Sequence, residues 1–394
     1  MSNPDLSAAD QCVMCGMCQP HCPTYQVAQI ESESPRGRLS MILGLSQGQL
    51  SLDNSVIQHL SHCTGCGACE AMCPSRVSFL DLLDQSKSLF PQHRLIKKSL
   101  LALIRTPGRY RWLSFLLKNK ALGNLLRLFG LLDKSSKQLQ TVASQQILPQ
   151  PINDYYPAIG DIRGSVALFT GCITQLFDKT TLLDTVLLLT HCGYNVHIPQ
   201  QQVCCGAMHQ HNGELEAAAL LVAQNQQVLQ SKTIDSVIFT STGCGVQLNK
   251  HLDNIDACDI MQFINKNNLL EQLSLEPVKA QALIHEPCSQ RNQLKLPDIT
   301  PLISQIPELE CSALIENQFC CGAGGINMLT VATSANLLRA KKTEHIQSLS
   351  ADFVVSTNYG CALHLAAGID NLSQDKQTEF CHPVSLLVRS ASLK

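Results

Sequence analysis

The sequence has 394 residues, of which 45% are hydrophobic and 15% are charged, and its formal net charge is −2. The length allows two or three domains with sizeable cores, and the near-neutral charge argues against a nucleic-acid-binding protein. No run of eighteen consecutive apolar residues occurs, so no segment is expected to cross a membrane as a helix.

Cysteine is unusually frequent, with 20 residues in the chain. The sequence does not open with the basic and then apolar segment that is typical of a secretory signal. We therefore expect a reducing compartment, the cytoplasm, where cysteines bind metals rather than form disulfides.

Two runs near the start share the spacing C-x2-C-x2-C-x3-C-P. In two-cluster ferredoxins, three thiolates of such a run bind one iron–sulfur cube and the fourth binds the neighbouring cube. Structural zinc is the alternative, but it uses separated C-x2-C pairs and needs no third cysteine at this spacing. The predicted ligands of one [4Fe–4S] cluster are Cys12, Cys15, Cys18 and Cys73, and those of the other are Cys63, Cys66, Cys69 and Cys22.

The segment between the two runs is predicted to be helical. Periodic apolar residues indicate one helix over Leu39–Gly48 and a second over Asp53–Ser61. This long insert favours the helical type of two-cluster ferredoxin domain. Arg36 and Arg38, after Pro35, either lie near the anionic clusters or form an ordinary solvated pair.

The next region is basic and contains no cysteine over residues 79–140. From Arg94 to Lys137 it has eleven lysines and arginines and one acid, Asp133, with clustered leucines between them. Such amphipathic helices either lie on an anionic membrane surface or a partner, or pack on their own domain with solvated basic faces. Residues 141–163 contain three prolines and are predicted to be a linker.

The remainder is an internal repeat. Cys172 precedes Cys204-Cys205-Gly206 by 32 residues, and Cys288 precedes Cys320-Cys321-Gly322 by the same 32. A further cysteine follows each pair, Cys244 and Cys361. Short apolar runs that end near these cysteines alternate with helical stretches, which predicts an α/β unit with a mostly parallel sheet, made twice.

Each repeat offers four thiols, enough for a further iron–sulfur cluster or a zinc ion. The alternative is a docking scaffold with merely buried thiols. His209, His211, His285 and His364 lie near these cysteines in sequence and are candidates for proton relay or for structural roles. Neither a flavin or dinucleotide fingerprint nor a P-loop or a Ser/His/Asp set is found, so no catalytic residue is assigned. The cysteines of this further site are Cys172, Cys204, Cys205 and Cys244 in the first repeat and Cys288, Cys320, Cys321 and Cys361 in the second.

Both cluster motifs followed by both Cys-Cys-Gly repeats resemble the family of glycolate oxidase iron–sulfur subunits. Heterodisulfide reductase subunits and anaerobic glycerol-3-phosphate dehydrogenase small subunits are related to it. The motifs that carry the resemblance are Cys22-Pro-Thr-Tyr-Gln26, Ser34-Pro-Arg-Gly-Arg38, Ser241-Thr-Gly-Cys-Gly245 and Phe319-Cys-Cys-Gly-Ala-Gly324. The heterodisulfide reductase pattern has a second cysteine where Gln247 and His364 stand here.

The resemblance implies an electron-transfer subunit of a flavin-dependent dehydrogenase for glycolate or D-lactate. FAD is then bound only by a partner 2-hydroxyacid oxidase subunit, and quinone is the expected final acceptor. Peripheral contact with the inner face of the cytoplasmic membrane is expected from the basic region. The alternative function is a stand-alone disulfide- or quinone-reducing protein of the heterodisulfide reductase type.

The predicted fold is an α+β multidomain protein. A helical ferredoxin-like domain with two [4Fe–4S] clusters covers residues 1–90, and a basic helical region and linker cover 91–163. Two duplicated α/β Cys-Cys-Gly domains with mostly parallel sheets follow in 164–270 and 271–394.

Overall fold

A computed structural model describes residues 4–90, 101, 152–230, 234–369 and 377–393 of the chain. The predicted basic region lies outside the described residues apart from Leu101. The second half of the predicted linker is described, and it contributes a short strand, β1 (Tyr155–Tyr156), to the first sheet.

The N-terminal domain is helical, and local sequence signals explain where its helices begin. Ser34 caps the second helix by accepting a hydrogen bond from the Gly37 amide at 3.0 Å, and Asp53 caps the third by accepting one from Val56 at 2.9 Å. Only glycine fits at position 37, since a Cβ there would lie 2.0 Å from the Glu31 carbonyl oxygen. The helices of residues 4–90 are α1 (Pro23–Ala28), α2 (Pro35–Ser46), α3 (Asn54–His62), α4 (Ala68–Ala71) and α5 (Phe79–Ser88).

The core of this domain lies between α2, α3 and α5. It is built from fully buried aliphatic side chains such as Ile42, Leu60 and Leu83, and cysteines of both cluster motifs pack against it. The helices predicted over 39–48 and 53–61 are therefore α2 and α3, with α2 starting four residues earlier, at Pro35. A proline suits the first turn of a helix, where its missing N–H is not needed.

The first cysteine-rich domain is a parallel sheet flanked by helices. Its strand order is β1-β3-β2-β4-β5, and only β1 runs antiparallel. Its other elements are β2 (Gly164–Phe169), α6 (Ile173–Phe177), α7 (Lys179–His191), β3 (Tyr194–His197), α8 (Ala207–His211), α9 (Leu215–Leu229), β4 (Ser236–Phe239), α10 (Thr242–His251), β5 (Ala257–Asp259) and α11 (Ile260–Lys266).

The second cysteine-rich domain repeats this plan. Its strand order β7-β6-β8-β9 is the order β3-β2-β4-β5 of the first domain, and all its strands are parallel. Its elements are β6 (Ala280–His285), a π-helix (Ser289–Leu294), α12 (Thr300–Ile303), β7 (Leu309–Ala313), α13 (Asn327–Thr330), α14 (Ala332–Leu349), β8 (Phe353–Ser356), α15 (Tyr359–Ala366), β9 (Glu379–Cys381) and α16 (Pro383–Ser390).

The duplicated domains share one hydrophobic core. Helix α7 of the first packs against α16 of the second, and Leu189, Ile284 and Leu387 belong to the same buried cluster. Polar loops also meet, with the Thr242 hydroxyl 2.7 Å from that of Ser289. The predicted α+β architecture with mostly parallel duplicated sheets is confirmed, and its two cysteine-rich domains form a single packed unit.

A buried histidine at the start of α16 makes this unit sensitive to acid. His382 is 4% exposed, its Nδ1 accepts a hydrogen bond from the Val384 amide at 3.1 Å, and burial lowers its pKa to about 3. An unfolded histidine has a pKa of about 6.5, so the stabilising neutral form is present above that pH and is progressively lost as pH falls towards 3.

We therefore expect this residue to remove about 2–3 kcal/mol of folding stability between pH 7 and pH 4.5. In His382→Asn, whose side-chain oxygen also caps the helix, that part of the loss should be absent. Denaturant unfolding of both proteins at the two pH values, in the same metal-loading state, measures the difference. Equal losses in both proteins would contradict the assignment.

Candidate metal centres

The first three cysteines of the first motif line a cavity at the surface of the dicluster domain. Its volume is about 450 Å³ including open solvent, and Leu39 and Phe79 close its inner side. Cys73, the last cysteine of the second motif, lines the same cavity. The thiols around it are Cys12, Cys15, Cys18, Cys69 and Cys73.

A second cavity of about 310 Å³ lies beneath α2. Pro23, Pro35 and Leu80 contribute apolar walls, and Arg38 and Thr24 contribute polar groups. Cys22, the last cysteine of the first motif, reaches this cavity instead of the first. The thiols around it are Cys22, Cys63, Cys66 and Cys69.

The two groups match the crosswise quartets that the spacing predicts, with Cys69 lining both cavities. Burial raises the pKa of Cys18 to about 11 and raises the pKa of Cys66 further. Four thiols around one small space cannot all ionise unless a cation compensates their charge, and metal ions supply that compensation when they displace the protons. The donor sets therefore fit iron–sulfur clusters.

Arg38 is a buried structural residue behind the second cavity. It is 1% exposed, it forms an ion pair with Glu33, and it donates to the Thr24 hydroxyl at 2.9 Å and to the His59 carbonyl at 2.8 Å. The Cys22 thiol lies 3.2 Å from the same Thr24 hydroxyl. Arg38 thus supports a cysteine of the second cavity.

Glu33 is the centre of this polar network. One of its carboxylate oxygens lies 2.7 Å from His59 Nδ1 and 2.8 Å from His62 Nδ1, and the other pairs with Arg38. Burial alone would raise the pKa of Glu33, but the hydrogen bond from His62, the charge of Arg38 and the hydrogen bond from His59 together lower it. Arg36 differs, because it is partly exposed, pairs with Glu31 and lines the first cavity.

The four thiols of the first repeat lie next to one another, with Cys172, Cys204 and Cys205 buried and Cys244 partly exposed. Cys172 lies where β2 passes into α6, and its sulfur is 3.4 Å from that of Cys204. Cys205 is hydrogen-bonded to both Cys204 and Cys244, and the hydrogen bonds from these two thiols lower its pKa. This domain therefore brings its predicted quartet together.

The second repeat does the same. Cys288 precedes the π-helix, its sulfur lies 3.9 Å from that of Cys320, and the hydrogen bond to Cys320 and burial raise its pKa. Cys321 is hydrogen-bonded to both Cys320 and Cys361. Cys321, Cys361 and His285 form a group that could hold a metal ion, with potential ligand atoms that all lie within 4.8 Å of one another.

The glycine of each Cys-Cys-Gly motif allows the pair of thiols to approach the following helix. Gly206 and Gly322 have φ angles of 90° and 92°, which favour glycine. A Cβ at Gly322 would lie 2.5 Å from the Ala335 carbonyl of α14.

The second cysteine-rich site lies directly against the second dicluster cavity. Cys66, Ala68 and Cys320 form one buried cluster with Cys288 packed on it. The charges of the neighbouring thiols act on each other, since Cys288 contributes to the raised pKa of Cys66. The two sites are therefore in contact through the packing of Cys66 with Cys320 and Cys288.

Amide side chains of the second cysteine-rich domain hold the loop that carries Cys66. Asn292 donates to the Cys66 carbonyl at 2.9 Å, and Gln293 donates to the Gly65 carbonyl at 3.2 Å. Asn327 donates to the Cys63 carbonyl at 2.8 Å and to that of Ser61 at 3.2 Å. Sequence reasoning missed these residues, since nothing local marks an asparagine that bonds to a loop more than 200 positions away.

Asn327→Ala is expected to weaken this contact. Two carbonyls lose their donor, so the holoprotein should lose about 1–3 kcal/mol of stability and release metal from the second cavity sooner. Asn265→Ala, at an exposed position of α11, should change stability by less than about 0.5 kcal/mol. Thermal unfolding under anaerobic conditions compares the two, and equal midpoints would contradict the role of Asn327.

The remaining candidate histidines are held by structural contacts. His209 Nδ1 lies 2.7 Å from Glu214, and His211 Nδ1 lies 3.2 Å from Asp84 of α5, which joins the first cysteine-rich domain to the dicluster domain. His364 Nε2 bonds to the Ala335 carbonyl at 3.2 Å. Burial lowers the pKa of His364 to about 4 and that of His285 to about 3, so both are neutral at physiological pH.

Comparison with known proteins identifies the domains that carry these cysteines. The family model of the 4Fe-4S dicluster domain matches residues 8–77, and that of the cysteine-rich domain matches 166–249 and 282–366. Together the matches span more than half of the chain. The chain is an iron–sulfur protein, and it belongs to those that combine a dicluster domain with a duplicated cysteine-rich domain.

Its relatives confirm the resemblance predicted from the sequence. It is 28% identical to a probable glycolate oxidase iron-sulfur subunit of Bacillus subtilis, over 97% of this chain and 94% of the relative. It is 24% identical to the glycolate oxidase iron-sulfur subunit of Escherichia coli, over 90% and 89%. Lactate utilization protein A of Bacillus cytotoxicus is 22% identical, over 53% of this chain and 93% of the relative.

The helices of the described residues were also compared with the length and apolarity that a bilayer requires. None of them is long and apolar enough to cross a membrane.

Proposed function

We propose that the chain is the electron-transfer subunit of a flavin-dependent 2-hydroxyacid dehydrogenase that oxidises glycolate or D-lactate. An FAD-binding partner subunit removes two electrons and two protons from the hydroxy acid and forms the 2-oxo acid. This chain receives the electrons and passes them towards quinone. The full-length similarity to glycolate oxidase iron-sulfur subunits supports the substrate class and the subunit role.

Two [4Fe–4S] clusters are proposed as the carriers, and when bound they accept and release electrons one at a time. We assign Cys12, Cys15, Cys18 and Cys73 to one and Cys63, Cys66, Cys69 and Cys22 to the other. The cysteines of the two cysteine-rich domains are proposed to hold a further metal centre. The observation that carries the proposal is the contact between Cys66 and Cys320, which gives electrons a short route out of the dicluster domain.

The chain's own residues have supporting roles in this proposal. Arg38 and Thr24 orient Cys22. The helices that flank the two cavities exclude water from one side of each cysteine group. Asn292 fixes the Cys66 loop against the second cysteine-rich domain. We place the complex in the cytoplasm, with peripheral contact at the inner face of the membrane. The stand-alone reductase has less support, since the two relatives named as glycolate oxidase subunits match about nine tenths or more of both chains.

The test combines the anaerobically purified chain with the flavoprotein that co-purifies with it. Glycolate or D-lactate should bleach the visible cluster absorbance only when both proteins are present, and a soluble quinone should restore it. The chain alone should oxidise neither acid. Substrate oxidation by the isolated chain, or a mixture in which neither acid bleaches the clusters, would refute the proposal.

A further inference from the structure

The two cysteine-rich domains differ at the residue that ends β2 in the first domain and the equivalent strand, β6, in the second. In both domains this residue lies three positions before the first cysteine of the quartet. In the first domain it is Phe169, which is buried among apolar side chains near Cys205. In the second domain it is His285, which is 1% exposed and lies with Cys321 and Cys361 in one group of ligand atoms.

The orientation of His285 is set by Asn317. The amide nitrogen of Asn317 donates to the Ile284 carbonyl at 2.8 Å, and its oxygen accepts from the Glu286 amide at 3.2 Å. The same oxygen lies 3.4 Å from His285 Nδ1. Asn317 can therefore only accept from the imidazole, which places the proton of the neutral ring on Nδ1.

The other ring nitrogen, Nε2, then carries a free lone pair. It is buried and has no hydrogen-bond partner among the residues that the structure describes. A buried polar atom without a partner is costly and needs an explanation, and at His285, unlike at the other such histidines, two cysteine sulfurs lie within 4.8 Å of a ring nitrogen. Metal-bound histidines usually have this arrangement, with one nitrogen on the metal and the other donating to a fixed oxygen.

We propose that His285 is a ligand of the metal centre in the second cysteine-rich domain, together with the thiolates of Cys321 and Cys361. Cys288 and Cys320 complete the donor set on the side that faces Cys66. Imidazole and thiolate together select a soft metal, either the iron of an iron–sulfur cluster or zinc. The first domain, with Phe169 at this place, has only its thiols to offer.

Basic side chains around the second site favour an anionic thiolate group there. Lys342 is 1% exposed and donates to the Glu316 carbonyl at 2.7 Å, and its charge acts on Cys320 and Cys321. Arg339, half-buried, is a second cation beside Cys321, and Arg291 is a third beside Cys288. These cations are placed by the fold where they offset part of the negative charge that metal-bound thiolates carry.

The inference deepens the proposed function and rests on it in one respect. If the metal is iron, this centre is the next acceptor after the cluster at Cys66, and an imidazole ligand raises its reduction potential above that of an all-cysteine cluster. If the metal is zinc, the site is structural and electrons leave by another route. In both cases His285, Cys321 and Cys361 are ligands of the metal.

The test uses the full-length chain, purified anaerobically and labelled with ¹⁵N-histidine. Iron in the second domain should show a histidine nitrogen coupling in pulsed EPR that changes from the ¹⁴N to the ¹⁵N pattern. Zinc should show one nitrogen among its sulfur ligands in X-ray absorption. A loaded centre without nitrogen, or a second domain without metal, would overturn the proposal, and both readouts come from the wild-type protein.

His285→Phe, which introduces the residue of the first domain, should abolish the nitrogen signal and weaken metal retention by at least about tenfold. His382→Asn removes another buried imidazole of the same domain and should leave the nitrogen signal and the metal retention unchanged. Signals from the clusters at Cys12–Cys73 should persist in both variants. These readouts do not depend on hydroxyacid oxidation, so failure of the proposed activity and failure of the ligand assignment are separate results.

Discussion

Arg38→Met is expected to destabilise the dicluster domain by about 3–5 kcal/mol, since it leaves the buried carboxylate of Glu33 without its cation. Glu33 is 4% exposed and Arg38 is 1% exposed, so water cannot replace the lost contacts. The His59 carbonyl loses its guanidinium donor as well. The Glu33 carbonyl loses the same donor and keeps the Thr24 hydroxyl and the Cys22 thiol as side-chain donors. Anaerobic denaturant unfolding of the holoprotein, followed by cluster absorbance, measures the loss.

The same variant should release metal from the second cavity before the first. Arg38 holds Thr24, and Thr24 contacts the Cys22 thiol, whereas no cysteine other than Cys22 depends on this contact among the described residues. Iron content and EPR signals during the first hours after chelator addition should therefore show unequal loss of the two clusters. Equal loss would assign Arg38 a general role in folding only.

Arg36→Met is the matched control, two positions away in the same helix. Its ion pair with Glu31 joins side chains that are 34% and 50% exposed, and such pairs contribute about 0–1 kcal/mol. Arg38→Lys should give an intermediate result, since an ammonium keeps the charge but cannot form all four contacts of the planar guanidinium. A large effect of Arg36→Met together with a small one of Arg38→Met would contradict the structure.

The cysteine groups were predictable from the sequence because ligand spacing is a local property. Three thiolates separated by two residues each can reach one small cluster without help from distant parts of the chain. The helices of the insert were predictable for the same reason, since Ser34-Pro35 and Asp53 are local start signals. The repeat in cysteine spacing likewise predicted an α/β unit made twice, and the two sheets share their strand order.

Contacts between distant segments could not be predicted in this way. Arg38 was expected either near a cluster or in solvent, and it lines the second cavity, but its buried ion pair with Glu33 and its bond to the His59 carbonyl of α3 were not predicted. Asn292 and Asn327 come next to the cluster loop only when the domains pack. His285 was recognised as a candidate, but the sequence alone gives no reason to separate it from His209, which pairs with Glu214.

Single replacements of Cys22 and Cys73 by alanine are expected to damage different clusters. Cys22→Ala should damage the cluster of the second motif, and Cys73→Ala should damage the cluster of the first motif. Cys22 lines the cavity of Cys63, Cys66 and Cys69, and Cys73 lines the cavity of the first motif. Each variant should lose up to about four of the roughly eight irons that two [4Fe–4S] clusters contain. It should also lose electron transfer from the flavoprotein, since either loss interrupts the relay.

Double replacements separate crosswise ligation from ligation within each motif. Cys12→Ala with Cys73→Ala removes two ligands of one proposed cluster, so about four irons should remain. Cys12→Ala with Cys22→Ala removes one ligand from each proposed cluster, so both should be lost or reduced to three-iron forms. Ligation within each motif predicts the reverse result for this second pair, with damage confined to one cluster. Iron analysis and EPR of the reduced proteins decide between the two, because the variants differ only in which fourth cysteine is removed with Cys12.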